Sequence, residues 1–269
     1  MRSPHAPASS QAATIRQTDG INGRNARMHA TRILGTAVSL LIMLALKHHY
    51  SLASADQLNW ILAPTAKLVA WLTPAHPVYE SGAGYVDFAL GIIVAPACAG
   101  INFMIIAFGL AALCCMTGIS RPTTLLICLI ASLCCAYGYT LLVNAVRIGL
   151  SMMLYRADIY GQWLTVRRLH RLVGIGLYLG ALWLWFAGFR TVLSHSGKSM
   201  ERRSRFLLLN LPDWLPLAWY LLGAVGVPLA NAIFQGRSSQ FSEHCFTILV
   251  AGGCVWGLVK MVRWLMKLK

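Results

Sequence analysis

The chain has 269 residues, of which 57% are hydrophobic and only 12% charged, and its mean hydropathy is +0.61. That composition leaves too little polar surface for a water-soluble globule and indicates an integral membrane protein. The formal net charge of +15 would suggest nucleic acid in a soluble protein, but most basic residues here lie between apolar segments. We interpret them as a topology signal that also contacts anionic lipid headgroups, with no nucleic-acid partner.

The N-terminal segment is polar. Residues 1–31 are rich in Ser, Ala, Thr and Arg, which predicts a disordered, basic cytoplasmic tail. The first apolar run, Ile33–Leu46, is followed by Lys47, and we interpret it as an anchored first helix. Two alternatives stay open at this point: a start at Met28, and cleavage of a signal peptide after Ala55.

The apolar runs after it predict a helical bundle. Leu58–Leu72 and Tyr85–Ala97 are short for full crossings, so they are either a surface helix plus a re-entrant piece or two tilted crossings. Five longer runs follow: Ala99–Gly118, Pro122–Val143, Leu172–Leu193, Trp214–Phe234 and Cys245–Val262. We therefore expect an all-α, polytopic bundle of six to eight membrane-spanning helices, with residues 32–269 forming one transmembrane domain.

Basic residues decide the expected orientation. With the N-terminal tail inside, Arg121, the basic cluster at 198–205 and the basic C-terminal end are also inside, as the positive-inside rule requires. The outer segment Ala145–Arg171 is the exception, because it contains five arginines: Arg147, Arg156, Arg167, Arg168 and Arg171. Basic residues kept against the rule are candidates for chemistry or for binding an acidic partner.

Three polar side chains are expected at one membrane depth on the outer side. Cys98 lies near a helix N-terminus, where free N–H groups and the helix dipole favour the nucleophilic thiolate. Arg147 could hold a developing oxyanion, and Asn144, three residues earlier on the same face, could orient it. His170 begins the next span and could take the thiol proton and return it to a leaving amine.

The motifs around these residues resemble those of the exosortase/archaeosortase family. Residues 96–100 read Pro-Ala-Cys-Ala-Gly, 144–147 read Asn-Ala-Val-Arg, and 170–174 read His-Arg-Leu-Val-Gly. They match the ordered cysteine, N-x-x-R and H-x-x-x-G motifs of the family, and the cysteine context is most similar to the exosortase K branch. The match covers a core of about 85–188. Many members have Ser after the cysteine, whereas this chain has Ala99.

The resemblance implies a cysteine transpeptidase or protease in the bacterial inner membrane, with its active site facing the periplasm. Its partners would be membrane-anchored proteins with a C-terminal sorting signal, cleaved through a Cys98 thioester and passed to an envelope acceptor. Cys98, Arg147 and His170 would be catalytic, while Asn144, Gly100 and Gly174 would support them. No metal or organic cofactor is indicated.

Two other functions are alternatives to this one. A membrane thiol–disulfide enzyme would use some of the eight cysteines, but no Cys-x-x-Cys motif is present, and we interpret the adjacent pairs at 114–115 and 134–135 as packing residues. A non-enzymatic transporter or envelope-assembly scaffold would instead bind anionic lipid or polysaccharide through the outer arginines. Its binding would weaken with salt and would not need Cys98.

Overall fold

The computed structural model describes residues 8–118, 121–157, 160–161, 165–195 and 210–226, with short pieces between 248 and 261. Its elements are, in chain order, α1 (Ala8–Leu52), α2 (Asn59–Leu72), β1 (Val78–Glu80), β2 (Gly84–Asp87), β3 (Ile92–Val94), a 3-10 turn (Pro96–Cys98), α3 (Ile101–Gly118), α4 (Pro122–Tyr155), α5 (Val166–His195), α6 (Leu215–Leu221) and a π-helical turn (Leu222–Gly226).

The first helix is longer than its apolar run. It begins at Ala8, whereas a disordered tail was predicted over residues 1–31. No proline interrupts the chain between Pro7 and Pro64, and the Ala and Arg residues of the polar segment have high helix propensity. The polar segment therefore extends the apolar helix toward the N-terminus.

The segment after α2 forms a small sheet. The three strands are antiparallel in the order β1-β2-β3, and Tyr85 on β2 lies opposite Tyr79 and Val94. The segment Tyr85–Ala97, for which a re-entrant piece or a tilted crossing was predicted, thus contains two strands and no crossing helix. Val, Ile and Tyr favour strands, and both connecting turns contain glycines with positive φ, which short hairpin turns require.

The helix α2 supports this sheet. It has 14 residues and is therefore about 21 Å long, too short to cross a bilayer alone. Tyr85 Oη donates to Asn59 Oδ1 at 2.9 Å, which ties the sheet to the start of α2. Tyr137 Oη donates to the Trp60 carbonyl at 2.7 Å, which ties α2 to α4.

Four helices alternate in direction. The end of α1 meets the start of α3, where Lys47 Nζ donates to Asn102 Oδ1 at 3.1 Å. The start of the apolar part of α1 meets the other end of α3, where Thr36 Oγ1 contacts Met116 Sδ at 3.1 Å. Helices α1 and α4 end at one end of the bundle, and α3 and α5 begin there or just beyond. This end, which contains Leu52, Cys98, Tyr155 and Val166, is called the site end.

Four helices of the described residues are long and apolar enough to cross a membrane. They are Met28–Leu52, Pro96–Met116, Pro122–Tyr155 and Arg168–Val192. The third continues 12 residues past the predicted end at Val143. The predicted span Trp214–Phe234 is described only as far as Gly226, as a short apolar helix, and Cys245–Val262 lies largely outside the described residues. The chain is therefore a helical membrane protein.

Two sequence features pack differently from what their pattern suggests. Gly176 and Gly180 are four residues apart, a spacing that lets another helix approach closely, but no described atom lies within 4 Å of a Cβ built at either position. Cys115, interpreted as a packing residue, forms a disulfide with Cys128, with the two Cα atoms 6.5 Å apart. The partners come from neighbouring helices, and the sequence does not reveal the register between α3 and α4.

Candidate active site

Cys98 lies in the segment that connects the last strand of the sheet to helix α3. β3 ends at Val94, and the 3-10 turn brings Cys98 to a position three residues before α3. The Cys98 N–H donates to the Ala95 carbonyl at 2.7 Å, and the Ala99 N–H donates to the Pro96 carbonyl at 3.0 Å. The turn therefore uses both N–H groups, and neither of them is left to bind an oxyanion next to Cys98.

Gly100 allows this turn to pack against α4. Its φ is +75°, in the left-handed region that side chains with a Cβ rarely adopt. A Cβ at this position would lie 3.1 Å from Thr140 Cγ2 and 3.2 Å from Asn144 Cγ, closer than ordinary contacts. Both the backbone conformation and the close approach of α4 therefore require glycine.

Asn144 links three elements of the site. Its side chain is fully buried, its Nδ2 donates to the carbonyl of Cys98, and its Oδ1 accepts from Tyr178 Oη at 3.0 Å. The sequence predicted that Asn144 orients Arg147. In the structure it instead fixes the backbone of Cys98 and connects that backbone, through Tyr178, to α5.

Arg147 is buried one turn further along α4. Its side chain is 8% exposed, and its guanidinium carbon lies 5.2 Å from the centroid of the Tyr178 ring. Its Nε and Nη2 are buried and have no hydrogen-bond partner among the described residues. A buried cation with two unused donors is costly, and it can gain most by binding an anionic group. The chain therefore holds an unoccupied donor pair inside the bundle.

Two tyrosines lie near both Cys98 and Arg147. Tyr50 of α1 and Tyr178 of α5 are each close enough to both Cys98 and Arg147 to interact with them electrostatically. Tyr50 Oη also lies 3.5 Å from the Pro96 carbonyl, and the Tyr178 ring stacks on Phe103 at 4.8 Å between centroids. The thiol and the guanidinium thus lie around one aromatic cluster, as a single site requires.

Sequence reasoning missed Tyr178, although the sequence contains a signal for it. Residues four apart on a helix share a face, so Tyr178 lies on the same face of α5 as Gly174 and His170. Tyr50 has no comparable signal, because its contact with Pro96 depends on how α1 packs on α3.

A pocket of about 580 Å³ opens at the site end. Its lining includes Cys98, His170 and Ser151, together with β3 and the facing parts of α4 and α5. Most of its surface is apolar. A pocket of this size can enclose a short peptide segment and exclude water around a reacting bond.

His170 is at the rim of this pocket. Its Nδ1 lies 3.2 Å from Ser151 Oγ, and that contact leaves Nε2 as the nitrogen that can accept or donate a proton toward a ligand. Because Ser151 is on α4 and His170 on α5, the contact also holds the two helices together beside Cys98. Proton transfer needs a group within hydrogen-bond reach of the reacting atoms, directly or through one water.

Gly174 lies beside Arg147. A Cβ at Gly174 would lie 3.6 Å from Arg147 Nη1 and 3.8 Å from Cδ, which are ordinary contact distances. The position therefore tolerates a methyl group, and a longer side chain would press on the guanidinium.

The other four arginines of the segment 145–171 have different surroundings. Arg156 and Arg171 line the pocket, and Arg168 is exposed on α5. The side chain of Arg167 lies outside the described residues. Of the five arginines predicted to be exceptional, only Arg147 is known to be buried within the bundle; Arg156 and Arg171 reach the same site from the pocket side.

Comparisons with known proteins give no relative. No family model matches the sequence, and neither a curated protein nor a solved structure matches it.

Proposed function

We propose that this chain is a membrane-embedded cysteine transpeptidase or protease that forms a thioester on Cys98. The observation that carries the proposal is the pair of unused, buried donors on Arg147, grouped with Cys98 around Tyr178. In acyl transfer, negative charge develops on the carbonyl oxygen, and fixed donors in a water-poor site stabilise it strongly. The resemblance to exosortases supports the same reaction.

The first step is acylation. Cys98 Sγ attacks the carbonyl carbon of a peptide bond, and the new S–C bond forms as the C–N bond breaks. His170 takes the thiol proton and delivers it to the leaving amine. Arg147 stabilises the oxyanion, a role worth about 3–4 kcal/mol for one donor in acyl-transfer enzymes.

The second step returns the enzyme to its starting state. An amine or hydroxyl of an envelope acceptor, or water, attacks the thioester carbonyl, and the S–C bond breaks. His170 accepts the proton of the attacking group, and the sulfur regains a proton as it leaves. Asn144 keeps the Cys98 backbone fixed throughout through its bond to the Cys98 carbonyl.

The orientation follows from charge. With Arg121 and the opposite end of the bundle in the cytoplasm, the pocket faces outward, and the chain has six or more spans in a bacterial inner membrane. The substrate would be a membrane-anchored protein whose C-terminal sorting signal emerges beside the pocket while its basic tail stays inside.

The experiment compares two cysteine variants in the native host. Cys98→Ala should abolish processing of the sorted proteins while the variant still inserts in the membrane. Cys134→Ala, at an exposed free cysteine, should leave processing unchanged. In the wild type, mass spectrometry should find a hydroxylamine-sensitive acyl adduct on Cys98. Continued processing by Cys98→Ala would end the proposal.

A second candidate is a scaffold that binds anionic lipid or polysaccharide, because Arg156 and Arg171 line the pocket and no acidic residue is among its lining residues in the described chain. It predicts that Cys98→Ala retains full function in cells, while Arg156→Gln with Arg171→Gln loses it. A thiol–disulfide enzyme is less favoured, because Cys98 is a free cysteine and the disulfide lies near the opposite end of α3, roughly 21 Å along the helix from its start at Ile101.

A further inference from the structure

The strand that leads to Cys98 is an edge strand. β3 pairs with β2 on one side, and no described strand pairs with its other side. The strand is short, Ile92–Val94, and Ile93 is 53% exposed. An edge strand presents N–H and C=O groups that another extended chain can bind.

The pocket reaches around this free edge. Both Ile92 and Ile93 line it. Successive residues of a strand point to opposite faces of the sheet, so a pocket that touches both must extend along the edge of the strand. Four residues after Val94 the same pocket touches Cys98. The edge and the thiol thus belong to one continuous cavity.

The rest of the cavity suits an extended apolar peptide. α4 contributes Ile148 and Met152, and α5 contributes Leu169 and Val173. A peptide in such an apolar site must satisfy its own N–H and C=O groups, because unpaired backbone groups are expensive away from water. The lining side chains are mostly apolar and therefore cannot pair with these groups. The free edge of β3 presents N–H and C=O groups at the spacing of a neighbouring strand.

We propose that the substrate segment carrying the scissile bond binds to β3 as a fourth strand, with its alternate side chains between α4 and α5. Strand addition gives affinity through main-chain bonds and selectivity through pockets for alternate side chains. The bound strand runs along β3 and delivers a carbonyl carbon to Cys98. This inference rests on the proposed cysteine chemistry and adds how the substrate is recognised.

The test uses a peptide probe on the detergent-solubilised full chain. An acetylated pentapeptide chloromethyl ketone of sequence Ala-Val-Leu-Val-Ala should alkylate Cys98, with mass spectrometry giving the rate. Five further probes each have one N-methylated peptide nitrogen. Because alternate N–H groups of a strand face its neighbour, methylation should slow the reaction about tenfold at alternate positions and change it less than twofold between them. Rates without this alternation would overturn the strand-addition mode.

Two controls separate this inference from the proposed function. Iodoacetamide has no peptide backbone, so its rate at Cys98 reports the thiol alone. If Cys98 reacts with neither reagent, the proposed function and the inference both fail. If it reacts with iodoacetamide while the methylated probes show no alternation, only the inference fails.

A crosslinking experiment locates the bound peptide. The photo-crosslinking residue p-benzoylphenylalanine replaces Ile93 in one variant. In a second variant it replaces Val78, which lies on the opposite edge of the sheet. Both side chains are exposed, at 53% and 66%. With the unmethylated probe bound to Cys98, the first variant should crosslink to the peptide and the second should not. Equal crosslinking, or crosslinking only from position 78, would contradict the proposal.

Discussion

Two cysteines at opposite ends of α3 show what makes a cysteine available for chemistry. Cys98, just before the helix, is partly buried, lines the pocket and has the Asn144, Tyr178 and Arg147 side chains around it. Cys114, near the other end, is fully buried in the apolar core. Cys98 precedes α3 and Cys114 lies within it. The elements that surround each cysteine, and not the residue type, therefore decide which thiol can contact a substrate.

The packing of α3 explains why the site forms where it does. In the most apolar stretch of the helix from Pro96 to Met116, 72% of the residues are buried, whereas the same share is 17% to 28% in the other three long apolar helices. The central helix is therefore enclosed by its neighbours along most of its length. At the site end, polar groups from α1, α4 and α5 converge on its start.

The largest expected difference between the two ends is in activity. Cys98→Ser should lose substrate processing completely, because the serine hydroxyl is a far weaker nucleophile without strong activation. Cys114→Ser should keep its processing rate per folded molecule, although its stability should fall, because a polar hydroxyl replaces a less polar thiol in the buried core. Processing assays normalised to folded protein distinguish the two. Activity lost equally in both variants would mean that Cys98 has no special role.

Removing the donors of Arg147 should have the next largest effect. Arg147→Lys keeps the charge but loses the planar fork of donors, so processing should fall about 10²- to 10³-fold, as when an oxyanion donor is removed. Arg121→Lys, at the start of α4 on the opposite end, is the matched control and should change processing less than twofold. If Arg147→Lys lowers the processing rate less than threefold, Arg147 does not stabilise the oxyanion.

The two glycines of the site should respond differently to a methyl group. Gly100→Ala forces a left-handed residue against Asn144 and should destabilise the protein by about 2 kcal/mol or more. Gly174→Ala meets only ordinary contacts and should cost less than about 0.5 kcal/mol. Thermal unfolding in detergent measures both. Equal costs would contradict the tight packing of the Cys98 turn on α4.

Tyr178→Phe isolates the hydroxyl that holds Asn144. It keeps the aromatic ring under Arg147 and removes one hydrogen bond, so stability should fall by about 1 kcal/mol. Processing should fall about tenfold or less, because Asn144 and the Cys98 backbone lose a fixed orientation. Tyr137→Phe removes a hydroxyl between α2 and α4 and is the matched control. Activity that falls in the control and not in Tyr178→Phe would argue against this positioning role.

The smallest effect concerns Asp87, which holds the turn before β3. The backbone N–H groups of His76 and Leu90 donate to this carboxylate and lower its pKa below the ordinary value of 3.8. A lowered pKa in the folded state stabilises the fold above the unfolded pKa, and that stabilisation disappears as the pH falls through the folded pKa.

The pH dependence of a variant tests this account of Asp87. At pH 6 the wild type should have a higher melting temperature than Asp87→Asn, and the difference should shrink as the pH falls below about 3.8. Glu80→Gln, on an exposed strand of the same sheet, serves as the control. A melting difference that stays constant from pH 6 to pH 3 would contradict the role of the Asp87 charge.

Helix positions followed from sequence more readily than the connections did. Apolar runs located α3, α4 and α5, because about 20 apolar residues in sequence are a strong signal for a membrane helix. The same criterion failed at Tyr85–Ala97, where a short apolar run is equally compatible with strands, and the structure has β2 and β3 there. It also placed the end of α4 at Val143, since hydropathy does not register a helix that continues through Arg147.

For the candidate site, the sequence predicted which residues could carry the chemistry, but it did not predict the contacts between them. The resemblance and the charge pattern selected Cys98, Arg147 and His170. The structure places Cys98 and His170 in the lining of one pocket, whereas Arg147 lies against the Tyr178 ring and is not among the described residues that line this pocket. The partner of Asn144 could not be predicted, because the bond to the Cys98 carbonyl depends on the packing of α4 against the 3-10 turn.

The central claim is that Cys98 is a reachable thiol on the outer side, unlike its counterpart in the core. Spheroplasts expressing the wild type, Cys98→Ala and Cys114→Ala are treated with a membrane-impermeant maleimide, and labelled cysteines are located by peptide mass spectrometry. We predict labelling of Cys98 in the wild type and in Cys114→Ala, with Cys114 unlabelled throughout. Labelling of Cys98 only after the membrane is permeabilised would contradict the account.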